Sequence, residues 1–446
     1  MRPVSTSFVR SSRPAADSVV VWHARIPGVA SSRPSSVPPS RSRTQLRSIR
    51  SALRTFLYRW NWNKLLRAGS AEYMPVSADW LWTRGGPAAQ GEDMSSLAPH
   101  EFSPETTWLN TASYGLPAAR SLAAVQRLHA EWVAGRTAPM ADETVVDRIR
   151  DGFARLIDGA SADHIAIGSG VAPLLAPVAA ALPAGAEVLL AENEFSSVSM
   201  PFVHRQDLAV RVVPLERLAD EVRPETALVA VSAVQSADGR VTDLARLRAA
   251  TLAHGARLAV DITQAASWFP LRFSDADYWV CATFKWLIGA RSVAFFAAAP
   301  EAADLIRPLG PGWFAAADRW AELYRPVALP ATTRRFDSTP DFIGVYAALG
   351  GLDLIEEIGV EKIGAHNLAL ADSFRTGLVN LGYAPVQENS AIVAVPGAGE
   401  AADRLQQSGI IASARNGGLR FSFHLYNDET DVERALTAMG ENRASV

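Results

Sequence analysis

The sequence predicts an α/β protein, with a large domain on a mostly parallel sheet flanked by helices and a smaller C-terminal α+β domain. Three observations carry this. First, seven short apolar runs, at 165–167, 187–191, 210–213, 227–231, 257–260, 278–281 and 293–296, recur with helical or loop stretches between them. They lack strict apolar–polar alternation, which is the pattern of strands covered on both faces. Second, polar or aromatic residues follow five of these runs, where ligands bind in an open parallel sheet. Third, the texture changes after about residue 330. A long helical stretch from Phe342 to about Glu357 precedes short strands near 392–395 and 419–423 and helices near 400–407 and 430–439.

In chain order, the first element is a leader. Ser, Arg and Pro supply 12, 9 and 6 of residues 1–50, and no helix or strand period is visible, so this stretch reads as disordered. Residues 1–70 hold 13 Lys and Arg against one acid, Asp17, whereas residues 71–446 hold 30 against 45. A transit peptide fits that composition. So does a nucleic-acid-binding tail. So does a non-structural leader, with Met74 or Met94 opening the folded protein. Residues 1–95 are set apart from the fold, leaving a large domain at 105–330 and a small one at 331–446.

The whole chain of 446 residues is 48% hydrophobic and 20% charged, a globular composition long enough to bury a large core. A net charge of −3 gives no global reason to expect nucleic acid as a partner. One cysteine, Cys281, excludes an internal disulfide framework and fits a reducing compartment. No apolar segment follows a basic start as in a secretory signal. The uncharged run at 165–186 reaches spanning length, but Pro173, Pro177, Pro183, Gly168, Gly170 and Gly185 break it, so a strand, a turn and a buried helix are expected instead. The expectation is a cytoplasmic protein without membrane or nucleic-acid partners.

Within the large domain, Val145, Val146, Ile149, Phe153, Leu156 and Ile157 recur at helical spacing. The strand ends then carry the chemistry. After 165–167 comes Gly168-Ser169-Gly170-Val171, a turn opening a helix, whose free N–H groups suit a phosphate. Pro173 stands where a dinucleotide fingerprint needs glycine, and no Walker A loop is present. Glu194-Phe195 follows the second run, Ser232 and Gln235 the fourth, and Asp261-Ile262-Thr263-Gln264 the fifth. Thr283-Phe284-Lys285 follows the sixth.

Lysine is rare here: 40 of the 43 basic residues are arginine, and the lysines are Lys64, Lys285 and Lys362. A chain that uses arginine nearly everywhere and keeps lysine at 285 points to an amine that must deprotonate, which arginine cannot do. Taken singly, each feature has an ordinary reading: a tight turn, a helix cap, a surface lysine, a core phenylalanine. Together, in order on successive strand ends, a lysine, a buried aspartate and a phosphate cradle point to pyridoxal 5'-phosphate, PLP. No metal pattern accompanies the eight histidines, and no G-x-S-x-G elbow is present.

Over about residues 105–440 the sequence resembles the class V aminotransferase family of PLP enzymes, which includes cysteine desulfurases, kynureninase, isopenicillin-N epimerase-like proteins and C–S lyases. Trp108 to Pro117 resembles the family's opening LNxAxxGxxP, and Ile167 to Ala172 its TSGAT phosphate turn. Glu194-Phe195 with Pro201-Phe202 resembles the segment that stacks an aromatic on the cofactor. Asp261 to Gln264 is similar to DxxQ, and Lys285-Trp286-Leu287-Ile288-Gly289 to KWLLG. Arg335 to Pro340 resembles RFExGTP, and Arg420 to Asn427 resembles RxSxxxYN. The chain departs from the pattern with Ala172 for a common threonine, Phe284 for a common histidine, and Ser338 for glycine. The desulfurase cysteine is missing from the loop Ser413-Ala414-Arg415-Asn416-Gly417-Gly418.

The resemblance implies a PLP enzyme acting on an amino acid or related amine. It implies that Lys285 forms the Schiff base and shuttles protons, and that Asp261 pairs with the pyridine nitrogen. Gln264 would meet the ring hydroxyl and Phe195 would stack on the ring. Ser169, Gly170, Val171 and Thr283 would hold the phosphate, and Thr339 would reach the partner's phosphate in a homodimer. Arg420 would hold the substrate carboxylate beside Ser113, with Arg415 as the replacement candidate. Transamination is the leading reaction, a Cβ–S lyase the runner-up and an epimerase third. The rival from another class is a PLP-binding regulator using the basic head on DNA.

Overall fold

The structure, a computed structural model, describes residues 94–444 apart from residues 141, 322 and 327. The leader expected over 1–95 lies outside the described residues up to 93.

After a two-residue strand β1 (Thr107–Trp108), seven strands form one sheet: β2 (Ile165–Gly168), β3 (Glu187–Ala191), β4 (Ala209–Val213), β5 (Thr226–Ser232), β6 (Arg257–Asp261), β7 (Tyr278–Ala282) and β8 (Ala294–Ala298). Their order is β2-β8-β7-β6-β5-β3-β4. All neighbours are parallel except β8, which runs antiparallel to both β2 and β7. All seven apolar runs read from the sequence are strands of this sheet.

The reason they lack alternation is visible in the packing. Leu189, Val229, Val231, Val260, Trp279 and Phe295 face one apolar core. Their chain neighbours Val188, Leu190, Leu228, Ala230, Ala259, Val280 and Phe296 face a second core on the other side. With both faces dry, each position of a central strand must be apolar.

Helices cover the two faces. On the first lie α1 (Ala119–Val133) and α2 (Thr144–Arg155), whose Val145, Val146, Ile149 and Phe153 are buried as their spacing predicts. On the second lie α3 (Val171–Ala181) and α4 (Ser196–Val203), with Leu174, Val178, Val198 and Phe202 inside. Helix α5 (Leu244–His254) links β5 to β6. Its start is capped by Asp243, whose side chain accepts from the Arg246 N–H, and Gly255 ends it in the left-handed conformation.

The C-terminal part contains α6 (Gly344–Ile358), α7 (Val360–Asn380), β9 (Ile392–Val395), α8 (Ala402–Gln407), β10 (Ile410–Ile411), β11 (Ser413–Arg415), β12 (Gly418–Ser422) and α9 (Glu429–Ala444). Strands β11-β12-β9 form an antiparallel sheet around a third core that includes Leu370, Phe374, Phe421, Phe423 and Met439.

The cores do not divide at residue 331. β1 pairs in parallel with β10, and Leu109 is fully buried in the C-terminal core. In the other direction, α6 sends Val345, Ala348, Leu352 and Ile355 into the first core of the large sheet. Its Gly351 lies against the Leu287 carbonyl, where a Cβ would stand 2.4 Å from the oxygen. The helix after residue 340 is therefore part of the platform that carries the Lys285 loop.

Candidate active site

One cavity of about 380 Å³ opens over the carboxyl ends of the strands. The turn after β2 and the start of α3 contribute Ser169, Gly170 and Val171, and the segment after β3 contributes Phe195. Ser232 and Ser236 come from β5 and its loop, and Asp261, Thr263 and Gln264 from β6. Ala282, Phe284 and Lys285 follow β7. The opening segment supplies Ala112, Ser113 and Tyr114, and the C-terminal hairpin supplies Arg415 and Arg420.

Lys285 sits in the β7–β8 connection, a loop closed by the Gly289 N–H donating to the Thr283 carbonyl (2.9 Å). Ile288 there holds φ at 46°, a strained value for a β-branched residue. The loop is fixed from several sides. Trp286 is fully buried, donates its indole N–H to Gln264 Oε1 (2.7 Å), and has its carbonyl bonded by Ser267 Oγ and His424 Nε2 (both 3.0 Å). Burial holds His424 neutral, down to about 3, so it acts as a fixed polar contact and not as a titrating group. Gly115 packs on the Lys285 carbonyl, where a Cβ would stand 2.0 Å from the oxygen, so only glycine fits.

The amine is 6% exposed, with no carboxylate in ion-pair range among the described residues. Burial pushes it down to about 8, although Asp261 pulls the other way. Its Nζ is 5.2 Å from the Phe195 ring centroid and 5.6 Å from that of Phe284. Asp261, the last residue of β6, accepts the Thr263 N–H (2.8 Å), and burial pushes its carboxyl up to about 6. A buried carboxylate without a cation beside it is costly, and the protonated ring nitrogen of a bound PLP would supply one.

Phe195 is 44% exposed over the cavity, and Glu194 anchors it. The Glu194 carboxylate accepts from the Phe195 N–H (2.8 Å), the Ser232 N–H (2.8 Å), Ser232 Oγ (2.5 Å) and Gln235 Nε2 (3.0 Å). Gly170 caps α3 with an extended φ of 175°, and the first-turn N–H groups have no carbonyl four residues back. Pro173 has no N–H to offer, so the free donors are those at Gly170, Val171 and Ala172.

Arg420, on β12, is 2% exposed. One of its terminal nitrogens donates to the Ser236 carbonyl and Oγ, the other to Ser113 Oγ (2.7 Å), and its Nε has no partner among the described residues. Burial, helped by Arg415, lowers its pKa to about 9.

Two expectations change in the structure. The Thr283 hydroxyl turns away from the cavity, bonded to the Ala290 and Val293 carbonyls (2.6 and 3.0 Å), so it closes the lysine loop and is not available to a phosphate. Gln264 lines the cavity, but its amide donates to the Ala112 carbonyl (2.9 Å) and Ser236 Oγ (3.0 Å), leaving no hydrogen for a ring hydroxyl. It braces three segments instead. Thr339, expected from the resemblance to reach the partner's phosphate, is exposed and lies outside the lining of its own protomer's cavity.

The sequence reading missed Tyr114, Ser197, Ser236, Thr263 and Arg291, all of which line the cavity. Arg291 is stacked over Phe284 at 4.9 Å and donates to the Tyr114 hydroxyl (2.6 Å). Its position six residues after Lys285 carries no signal in a chain of 40 arginines. The β11–β12 hairpin had one: Asn416-Gly417, both at positive φ, is the sequence signature of a tight hairpin turn.

An unpaired buried carboxylate, a depressed amine, free turn amides and an uncovered aromatic ring form a donor set that fits PLP. Among the described residues no group of three or more His, Cys, Asp or Glu is placed to hold a metal ion.

Comparison with known proteins agrees. The family model for aminotransferase class-V matches residues 136–435. An uncharacterized aminotransferase, YcbU, from Bacillus subtilis is 30% identical over 305 residues, covering 64% of this chain and 81% of the relative. A kynureninase from Deinococcus radiodurans is 25% identical, covering 51% and 58%. A probable cysteine desulfurase from Pseudomonas putida is 24% identical, covering 58% and 72%. Among solved structures, the cystine C–S lyase C-DES superposes with a TM-score of 0.70 at 20% identity, over 76% of this chain and 98% of that one. A cysteine desulfurase from Thermococcus onnurineus gives 0.66 at 20%, over 77% and 96%. A C-DES variant holds glycine covalently linked to its PLP cofactor. With a lysine, an aspartate and an amide turn converging at the ends of this sheet, the chain belongs to the class V aminotransferase family of PLP-dependent enzymes.

Proposed function

We propose that this enzyme removes the α-proton of an amino acid, with transamination as the primary outcome. The observation that carries it is the convergence of Lys285, Asp261 and Arg420 on one cavity. PLP, when bound, supplies an electron sink for the charge left at the α-carbon. The chain supplies the rest. Arg420 receives the substrate carboxylate through charge-assisted hydrogen bonds, and its buried unpaired charge is what makes that contact strong. The Lys285 amine, lowered to about 8, takes and returns the proton near neutral pH. Asp261 keeps the cofactor ring nitrogen protonated, and Phe195 covers the ring. Ser169, Gly170 and Val171 offer the phosphate site. The 30% identical relative bears the name aminotransferase, which supports this order of preference.

Cβ–S lyase chemistry is the second reading. Cys281 is fully buried, and burial raises its thiol well above the usual range. Sulfur from a sulfur substrate would therefore leave by elimination and not by thiolate attack. The names cystine C–S lyase and cysteine desulfurase among the similar proteins support it.

The working form is a cytoplasmic homodimer, with Thr339 reaching the neighbour's phosphate site. Full activity of a monomeric species at high dilution would contradict the dimer. Among the described residues no helix is long and apolar enough to cross a membrane.

The test is an amino-acid panel on the purified PLP-loaded enzyme, read for keto acid with and without added 2-oxo acid, for sulfide, and for racemisation. Keto acid formation that depends on the 2-oxo acid is the expected result. Sulfide or pyruvate without it selects the lyase, and racemisation alone selects the epimerase.

A further inference from the structure

Where two arginines converge in this protein, a carboxylate usually sits between them. Arg211 and Arg223 meet at Glu187, Arg248 and Arg257 at Asp277, and Arg150 and Arg319 at Asp337. The cavity breaks the pattern. Arg420 and Arg415 both donate to Ser113 Oγ, at 2.7 and 3.3 Å. A hydroxyl has lone pairs for both but no charge to offset either. Among the described residues neither arginine has a carboxylate partner. Arg291, across the Ser113–Tyr114 segment, has none either and is held by a phenol and two aromatic faces. Asp261 is the one acid among the residues lining the cavity, against Lys285, Arg291, Arg415 and Arg420.

The hairpin fixes how the two converging arginines are spaced. Ser413 pairs with Arg420, so Arg415, two residues on, leaves the same face of the hairpin from a diagonal position. Diagonal neighbours across an antiparallel pair are roughly 7–8 Å apart at the backbone. Arg420 is buried and pinned at both ends of its fork, whereas Arg415 is exposed at the rim and tied only to the Ala414 carbonyl (2.8 Å) and Ser113. One cation is deep and rigid, the other shallow and adjustable. The heads meet at Ser113 Oγ, but the exposed, loosely tied Arg415 is free to turn to a second acid group while Arg420 stays fixed on the first.

We propose that the substrate, or the amino acceptor, is a diacid whose α-carboxylate goes to Arg420 and whose second acidic group goes to Arg415 at the rim. Arg415 is thus a specificity-determining residue. The inference rests on the reading above that Arg420 takes the α-carboxylate.

The experiment uses the PLP-loaded protein and ligands without an amine, so that binding is read apart from turnover. Calorimetric titration with glutarate and with butyrate gives the diacid preference. Glutarate should bind at least ten-fold tighter than butyrate, and Arg415→Gln should reduce that ratio about ten-fold. Arg415→Lys, which keeps the charge, should retain most of the preference. A parent protein that does not prefer glutarate, or a ratio unchanged in Arg415→Gln, overturns the inference. If Arg415→Gln does not fold, the parent ratio and the Arg415→Lys ratio decide: a preference lost in a folded Arg415→Lys protein overturns the retained-charge argument. The underlying reading has its own arm. If Arg420→Gln leaves the affinity for both acids unchanged, the α-carboxylate site itself is misassigned. If Arg420→Gln weakens both and Arg415→Gln leaves the ratio alone, only the diacid inference falls.

Discussion

Two arginine clusters in this protein differ in what lies between the guanidinium groups. At Asp337 the Arg150 guanidinium makes a two-point bond with the carboxylate (3.1 and 2.9 Å), and Arg319 and Arg334 stand 3.9 Å away. The same carboxylate accepts the Ile167 N–H (2.8 Å), which ties β2 to the 333–337 segment. At Ser113 there are also converging arginines, but no anion. The first cluster has an anion at its centre and fixes the backbone. The second has none and faces the cavity. At these two places the presence or absence of a carboxylate separates a cluster that ties backbone segments together from one that faces the cavity.

The comparison can be anchored first at the cavity floor. Lys285→Ala should lower turnover by at least about 10²–10⁴-fold, the range for loss of a positioned acid–base group. It should also abolish the visible absorbance of the lysine-bound cofactor. A variant that keeps that absorbance removes Lys285 from its role.

The clusters themselves should respond oppositely. Asp337→Ala leaves Arg150 buried with only the exposed Asp147, 4.0 Å away, as a charge partner, and should cost about 3–5 kcal/mol of stability in denaturant unfolding. Arg420→Met should lower use of a carboxylated substrate roughly 10- to 100-fold, since a hydrogen bond to a charged group contributes about 1.5–3 kcal/mol. It should leave stability unchanged or raised, because it removes a buried cation whose partners are neutral oxygens and not a carboxylate. A large stability loss in Arg420→Met would place Arg420 with the structural cluster.

pH dependence sharpens the same contrast in the cofactor-free protein. Lys285 titrates near 8 when folded and near 10.5 when unfolded, so between these values the unfolded chain holds more protons. Stability contributed by this group therefore rises with pH across that window. Thermal unfolding from pH 7.5 to 10.5 should show the rise, and Lys285→Met should flatten it.

The smallest effect belongs to Cys281→Ser. The thiol lies on β7 with no exposure and only a weak contact to the Ala282 carbonyl (3.6 Å). The variant should keep turnover on a correctly folded, PLP-loaded protein, with about 1–3 kcal/mol lost if the new hydroxyl finds no partner. Complete loss of activity, with a persulfide trapped on Cys281 in the parent, would restore the thiolate mechanism.

The sequence made the sheet legible because burial on both faces leaves apolar runs that do not alternate. It made Lys285 and Asp261 legible because chemistry sits at strand ends and because lysine is scarce. Side-chain direction was not legible. The orientation of Thr283 depends on how the loop closes on Ala290, and that of Gln264 on Trp286 and Ala112 arriving from distant parts of the chain. Arg291 carried no distinguishing neighbours among so many arginines, whereas Arg415, beside the Asn416-Gly417 turn, was legible as the replacement candidate for Arg420. The division between cores was hidden because β1 and β10 are two-residue strands about 300 residues apart.

That last pairing bears on how the molecule can be divided. Leu109 fills the C-terminal core, and α6 fills a core of the large sheet. A chain severed near residue 330 would yield one fragment with an apolar segment that has lost its socket, and another with a helix that has lost its platform. Neither would be an expressible module in the sense of a domain with its own complete core. Chimeras with relatives would have to exchange the stretch from Thr107 to Leu109 together with the C-terminal sheet, and α6 together with the lysine loop, for either part to fold.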